Sequence, residues 1–115
     1  MTSDASQRGV PTFAPAMAWE ALDVLRTGVR GTFNLVAQGA ASRFDYVAEI
    51  VRRSGLPCEV EPGPAFKRQA AVSPNETARN YRLGLMGLDR MSDWREPLGA
   101  YVDGLLVSPE WKALG

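Results

Sequence analysis

The chain alternates between segments with helical spacing of apolar residues and segments in which apolar and polar residues alternate. Residues 15–27 carry a wide apolar face at helical spacing and end before a glycine, which predicts a helix. Residues 31–39 lie between glycines and place Phe33, Leu35 and Ala37 on one face, which predicts a strand. A helix followed by a strand is typical of α/β folds.

The clearest helical signal covers residues 42–55. Ser42 is a typical N-cap, Asp45 occupies the reciprocal capping position, and Gly55 is a typical C-terminal stop. A short apolar-polar run at 58–61 follows and predicts a further strand. The first half of the chain therefore predicts short parallel strands covered by helices.

The second half begins with an irregular Pro- and Gly-containing loop over 62–75, which is longer than most plain connections. Residues 80–87 predict a short helix, and residues 93–106 predict a longer one that begins at a capping pair. We expect one domain over residues 7–107, with a disordered start at 1–6 and a terminal turn or short helix at 108–115.

Composition and charge exclude several classes of function. The 13 basic and 13 acidic side chains cancel, so no electrostatic surface for nucleic acid or anionic lipid is expected. The absence of histidine removes Ser-His and Cys-His catalysis and the commonest transition-metal ligand, and no metal site is predicted. The single Cys58, the lack of a membrane-length apolar stretch and the polar start predict a cytoplasmic protein.

Candidate chemistry is limited to polar residues on predicted loops. Neither G-x-G-x-x-G nor G-x-x-x-x-G-K-[ST] occurs, and no tyrosine has a lysine four residues later, so no cofactor-binding or catalytic residue is predicted. Guanidinium and amide groups suit a diphosphate and a sugar respectively, although single loop residues of this kind are more often simply solvated. The candidates are Gln7, Arg8, Thr12, Lys67, Arg68, Asn75, Thr77, Arg79 and Asn80.

Five motifs in order give the chain a resemblance to a known family. They are SQRGVPT at 6–12, GTFN at 31–34, the capped helix at 42–55, SPNET at 73–77 and DWREPL at 93–98. Together they resemble the C-terminal part of the dTDP-4-dehydrorhamnose reductases, which are extended short-chain dehydrogenases. Ser6 stands where the family pattern has Asp, and Ser73 stands where it has Arg.

The resemblance implies a small α/β substrate-binding lobe, with short strands covered by three to five helices and without the Rossmann cofactor domain. It implies NAD(P)H-dependent reduction of a 4-keto nucleotide sugar, with NADPH or NADH bound by a full-length relative. The family's catalytic Thr/Ser, Tyr and Lys match no position here, so we expect no catalysis by this chain alone. The implied substrate contacts are Gln7, Thr12, Asn75 and Arg79.

Two functional interpretations remain open at this point. The chain is either the substrate lobe of a sugar-nucleotide oxidoreductase, or a non-catalytic interaction or regulatory module that kept the fold and lost the site. The expected partners are a nucleotide sugar together with a Rossmann-domain partner or a second copy of the chain. Whether an N-terminal region is lost or supplied by a separate polypeptide, and which sugar is bound, stay open.

Overall fold

The computed structural model describes residues 1–65 and 67–114. Their helices are α1 (Ala14–Arg26), α2 (Arg43–Ser54), α3 (Tyr81–Leu85), α4 (Arg95–Leu106) and α5 (Pro109–Ala113). Their strands are short: β1 (Thr2–Asp4), β2 (Arg8–Gly9), β3 (Ala41–Ser42) and β4 (Glu61–Gly63). This is an α/β fold with short strands and five helices among the described residues, as predicted.

Helix α2 begins and ends where the sequence predicts. The Asp45 backbone N–H donates to Ser42 Oγ at 3.1 Å, and the Ser42 N–H donates to Asp45 Oδ2 at 2.8 Å. At the other end, Gly55 takes the left-handed conformation with φ of 69°, which costs glycine no steric strain. The capping box and the glycine stop are therefore both confirmed.

The core lies between α2 and α4. Trp94, just before α4, is 2% exposed and packs with Leu98 and Val102 of α4 against small residues of the 37–41 loop. On the α2 side, the Tyr46 ring lies 5.9 Å from the Trp94 ring. The Arg53 guanidinium occupies the space beside Gly99 that a Cβ atom would fill, so glycine at this position leaves room for the Arg53 side chain between α2 and α4.

The strands form two separate pairs. β1 pairs in parallel with β4, with Thr2 opposite Glu61, and β2 pairs antiparallel with β3. Residues 2–4 thus lie in a strand, where the sequence predicts disorder. The strand predicted at 58–61 is wrong in position, because β4 starts only at Glu61. In both cases the pairing joins residues about 59 positions apart, and local sequence carries no signal for such a pairing.

The strand predicted over 31–39 is wrong. The structure has a single isolated bridge in this segment, between Gln38 and Asp93. The buried Asn80 side chain takes the place of a neighbouring strand: its Oδ1 accepts from the Val36 N–H at 2.8 Å, and its Nδ2 donates to the Val36 carbonyl at 2.7 Å. The alternating pattern is present, but no strand among the described residues lies beside it.

Helix α1 points its apolar residues away from the core. Glu20 is only 5% exposed, and its Oε1 accepts from the Arg90 backbone N–H at 3.0 Å. By contrast, Trp19 is 66% and Leu25 is 73% exposed. The helix is where the sequence predicts it, and Met17, Trp19, Leu22 and Leu25 of its apolar face are left exposed.

The remaining helices follow the sequence with small differences. α3 and α5 occupy the predicted regions, and Ser108 Oγ caps α5 by accepting from the Trp111 N–H at 3.2 Å. α4 starts at Arg95, whose N–H donates to Asp93 Oδ1 at 2.9 Å; no hydrogen bond from the Asp93 N–H back to Glu96 is present among the described residues, so only half of the predicted capping pair forms. The predicted loop over 62–75 includes Phe66, and the predicted terminal segment includes Gly115; both residues lie outside the described part of the chain. No helix among the described residues is long and apolar enough to cross a membrane.

Stability should depend on pH through Glu49 on α2. Hydrogen bonds from Arg52, at 2.6 and 3.0 Å, and from Arg53, at 2.8 Å, lower the pKa of Glu49 from 4.5 to about 2. Because the folded-state pKa is depressed, this contribution is present above about pH 4.5 and is lost as the pH falls towards 2. We expect Glu49→Gln to lower the free energy of unfolding at pH 7 by roughly 1 kcal/mol, the scale of partly exposed ion pairs.

Urea unfolding at several pH values measures this effect. The difference between wild type and Glu49→Gln should shrink steadily between pH 5 and pH 2. Asp23→Asn is a suitable control, because its partner Arg26 is largely exposed and the pair is 3.4 Å apart. A Glu49→Gln difference that stays constant over this pH range would contradict the prediction.

Candidate functional site

A cleft of about 690 Å³ lies between the 4–11 segment and the start of α2. The segment supplies one wall, and about the first two turns of α2, from Arg43 to Ile50, supply the other. Polar and charged groups around it come from both walls and from the loop after residue 73. The residues that matter for its chemistry are Asp4, Gln7, Arg8, Arg43, Tyr46 and Glu76.

Local hydrogen bonds hold the 4–11 wall in shape. Asp4 Oδ1 accepts from the Ser6 N–H at 2.7 Å and from the Ser6 hydroxyl at 2.6 Å, which closes a tight polar turn. The Arg8 N–H then donates to the Pro74 carbonyl at 2.9 Å, and the Glu76 N–H donates to the Arg8 carbonyl at 2.8 Å. The 73–77 loop is thereby fixed beside the cleft.

The cleft contains two guanidinium groups and two carboxylates. Arg8 is half-exposed; it donates weakly to the Ala40 carbonyl at 3.4 Å and lies 3.9 Å from Asp45 Oδ2. Arg43 is exposed at the start of α2, where the helix dipole adds partial positive charge. Asp4 and Glu76 add negative charge at the same cleft, and Asp4 is already engaged by the Ser6 turn.

An aromatic cavity of about 170 Å³ adjoins the charged cleft. The two share Pro11 and Tyr46, and Thr12 and Trp94 line the smaller one. Phe13 and Tyr101 complete it, with ring centroids 5.9 Å apart. The Trp94 indole N–H is buried and has no hydrogen-bond partner among the described residues. The charged cleft therefore adjoins an aromatic cavity.

The four predicted contact residues do not form one site. Gln7 lines the charged cleft. Asn75 lies in the loop bridged to Arg8, but its Oδ1 is occupied by the Thr77 N–H and hydroxyl at 3.0 and 2.7 Å. Thr12 lies at the aromatic cavity, where its hydroxyl accepts from the Ala37 N–H at 3.1 Å and donates to the Val10 carbonyl.

Arg79 lies elsewhere in the molecule. It lines a different cavity of about 420 Å³, together with Gln38, Asn80 and Asp89. The structure thus brings Gln7 and the backbone of the Asn75 loop together and keeps Arg79 apart from them. No group of three or more His, Cys, Asp or Glu side chains in the described part of the chain is placed to hold a metal ion.

Sequence reasoning missed two residues at the cleft. Arg43 and Tyr46 both lie on the predicted helix at 42–55. The sequence pattern there is typical of an ordinary surface residue for Arg43 and of a packing residue for Tyr46. Their role depends on β2 pairing with β3, because this pairing brings Arg8 next to the start of α2. The sequence contains no signal for a strand pair only two residues long. The one indication of a role for Arg43 is its position in the first turn of a helix.

Comparisons with known proteins place the fold. A scan against protein-family models found no match, and a search of curated proteins found no significant one. Among solved structures, a dTDP-4-dehydrorhamnose reductase from Clostridium acetobutylicum superimposes with a TM-score of 0.87 and 31% sequence identity over 93% of this chain. The chain has the fold of one part of a dTDP-4-dehydrorhamnose reductase.

Two further reductases support the same fold at lower identity. The Bacillus anthracis enzyme, solved in complex with NADP, gives a TM-score of 0.82 at 23% identity over 90% of this chain. The Yersinia enterocolitica enzyme gives 0.80 at 19% identity, also over 90%. The chain spans only 37–39% of the length of these three proteins, which is consistent with a match to their C-terminal part. The resemblance inferred from the sequence motifs is confirmed.

The position of the Thr12 hydroxyl predicts a role in stability. Thr12→Val removes an acceptor for the Ala37 N–H and a donor to the Val10 carbonyl, so we expect the free energy of unfolding to fall by about 1–2 kcal/mol. Thermal or urea unfolding measures this, with Thr32→Val as the control because Thr32 is exposed. A variant with wild-type stability but weakened nucleotide-sugar binding would show instead that Thr12 contacts substrate.

Proposed function

We propose that the chain is the nucleotide-sugar-binding part of a dTDP-4-dehydrorhamnose reductase-like, NAD(P)-dependent oxidoreductase. The observation that carries this proposal is the cleft with Arg8 and Arg43 at its mouth, on a fold shared with a reductase at 31% identity. The substrate class follows from that likeness and from the chemistry of the cleft. The activity belongs to the longer protein of this kind and not to this chain alone.

The two arginines of the cleft, Arg8 and Arg43, suit a diphosphate. Planar guanidinium groups bind phosphate oxygens with paired hydrogen bonds, and the weak internal contacts of Arg8 at 3.4 and 3.9 Å leave it available for stronger ones. Gln7 lies in the same wall and offers an amide. The exposed Glu76 carboxylate at the same cleft repels a negatively charged ligand, so it should lower the affinity for a diphosphate.

The aromatic cavity suits the uncharged ends of the same ligand. A pyrimidine base or a sugar ring packs well against Tyr46 and Tyr101, because aromatic faces bury large apolar areas in defined orientations. A nucleotide sugar therefore spans both regions, with its diphosphate at the arginines.

Hydride chemistry requires groups that this chain does not carry. The sequence contains neither the glycine pattern for a dinucleotide nor a tyrosine–lysine pair at acid-and-cation spacing. NADPH or NADH, bound by another region of the longer protein, would supply the hydride. The residues of this chain would hold and orient the substrate.

Calorimetric titration with dTDP-rhamnose, using dTDP as the comparison ligand, tests the proposal. We expect saturable binding that Arg8→Gln and Arg43→Gln each weaken about tenfold, since each removes a charge-assisted contact. Arg30→Gln is the matched control, because Arg30 is an exposed arginine outside every cavity described above. Glu76→Gln should strengthen binding by removing a negative charge from the cleft.

The Arg79→Gln variant tests which of the two cavities binds the ligand. If Arg79→Gln abolishes binding while Arg8→Gln and Arg43→Gln do not change it, the ligand occupies the cavity beside Asp89 and the proposed cleft is wrong. Absence of binding in the wild-type chain would reject the nucleotide-sugar function altogether. Each outcome therefore assigns the ligand to the proposed cleft, to the cavity beside Asp89, or to neither of them.

The chain alone should show no reductase activity. We expect no oxidation of NADPH above background when it is mixed with a 4-keto nucleotide sugar, because no residue here matches the acid and base positions of the family. Spectrophotometric assay at 340 nm measures NADPH oxidation directly, with a full-length reductase as the positive control. Turnover by the purified chain would contradict the proposal.

A second candidate function, an interaction or regulatory module, is favoured by one observation. The exposed apolar residues of α1, including Trp19 and Leu25, form a surface of the kind that proteins use to bind one another. A chain that binds no nucleotide sugar but associates through α1 would have this function. The titration above distinguishes the two candidates.

A further inference from the structure

We propose that Lys67 and Arg68 bind the diphosphate of the nucleotide sugar together with Arg43, so that the site extends beyond the charged cleft. This inference rests on the proposed function and adds two binding residues to it. Both residues line a further cavity of about 760 Å³, which lies between β1, the start of α2 and the segment 63–68. We call it the loop cavity.

The charged cleft and the loop cavity meet at two shared residues. Asp4 and Arg43 line both of them. Arg43 is the first residue of α2, and it therefore lies at the boundary between the two cavities. A phosphate group bound to Arg43 is thus accessible to cations that line the loop cavity.

The charged cleft by itself has little net attraction for a diphosphate. Of the described residues that line it, Arg8 and Arg43 are the cations, and Asp4 and Glu76 are the carboxylates. Asp45 lies 3.9 Å from Arg8 as well and partly neutralises it. A diphosphate ester carries a negative charge on each phosphate group. It gains hydrogen bonds from the arginines, but the nearby carboxylates offset most of the electrostatic attraction.

Lys67 and Arg68 change this balance of charge. Among the described residues of the loop cavity, the one carboxylate is that of Asp4, which is shared with the cleft. Its Oδ1 already accepts from the Ser6 N–H and hydroxyl at 2.7 and 2.6 Å. The described lining of the two cavities together thus contains four cations and two carboxylates. This surplus of positive charge matches the two phosphate groups of the ligand.

Strand pairing places the segment that carries these two cations. β4 ends at Gly63, which lies opposite Asp4 of β1. The Ala5 N–H donates to the Gly63 carbonyl at 3.1 Å, and Pro64 then restricts the backbone. Helix α2 contacts both strands. The segment therefore leaves β4 beside the helix that carries Arg43.

The three cations of the loop cavity differ in a way that suits a diphosphate. Arg43 and Arg68 each offer a planar guanidinium, which pairs with two phosphate oxygens at once. Lys67 offers a compact ammonium on a flexible stem, which can follow a phosphate oxygen in several directions. Such a set can bind both phosphate groups.

Calorimetric titration of the chain with dTDP-rhamnose tests the proposal. We expect the double variant Lys67→Gln/Arg68→Gln to raise the Kd about tenfold or more, because two charge-assisted contacts are lost. The control variant Arg30→Gln/Lys112→Gln removes the same two types of cation at exposed positions outside these cavities. Its Kd should stay within about twofold of wild type, because distant exposed charges are screened.

The salt dependence of binding gives a second measurement. The wild-type Kd should rise as sodium chloride increases from about 0.05 M to about 0.5 M, because salt screens the attraction between the cations and the diphosphate. This rise should be smaller for the double variant and unchanged for the control variant. A loss of affinity caused only by a distorted loop would leave the salt dependence as in wild type, and that result would contradict the proposal.

The outcomes separate this inference from the proposed function. A double variant with the wild-type Kd overturns the inference alone if Arg8→Gln and Arg43→Gln still weaken binding. An equal loss of affinity in the control variant also overturns it, because the effect then comes from the net charge of the chain. Absence of binding by the wild-type chain rejects the proposed function and this inference with it.

Discussion

The packing of α2 against α4 is the contact on which the rest of this structure depends. α2 touches both strand pairs as well as α4, so its position sets theirs. Two polar features lie at this contact. Gly99 leaves room for the Arg53 guanidinium, and Glu49 holds that guanidinium by a hydrogen bond of 2.8 Å. Trp94, Leu98 and Val102 then close over the small side chains of the 37–41 loop.

The candidate site is a direct consequence of this packing. α2 starts at β3, and β3 pairs with β2, so the first turn of α2 lies beside the 4–11 segment. Arg8 and Arg43 meet there although they are 35 positions apart in sequence. On the core side, Tyr46 contacts Trp94 and joins the charged cleft to the aromatic cavity. One helix thus positions both halves of the site.

The half of the chain containing α1 is built differently. Its helix buries a carboxylate and exposes its apolar residues, and the segment after it has a strand pattern without a strand neighbour. Glu20 and Asn80 satisfy buried backbone groups in place of regular secondary structure, as buried polar groups must be satisfied. Such features are expected where a surface is completed by another polypeptide.

The sequence by itself determined the elements whose signals are local. α2 with its capping box and glycine stop, α5 with its serine cap, and the extent of α1 could all be read from residues a few positions apart. The motif order also determined the fold class and the family resemblance. Of the residues at the cleft, it named Gln7, Arg8 and the polar 73–77 loop as candidates, because loop amides and guanidinium groups stand out against a chain without histidine.

Only the tertiary structure decided which surfaces these elements share. The pairing of β1 with β4, the grouping of Arg8 with Arg43, and the separation of Arg79 from both depend on contacts between distant residues. The same holds for residues 31–39: alternation predicts a strand, but a strand forms only where a neighbour supplies hydrogen bonds. Periodicity likewise locates the apolar face of α1 without specifying what covers it, because hydrophobic burial is non-directional and does not select a particular partner surface.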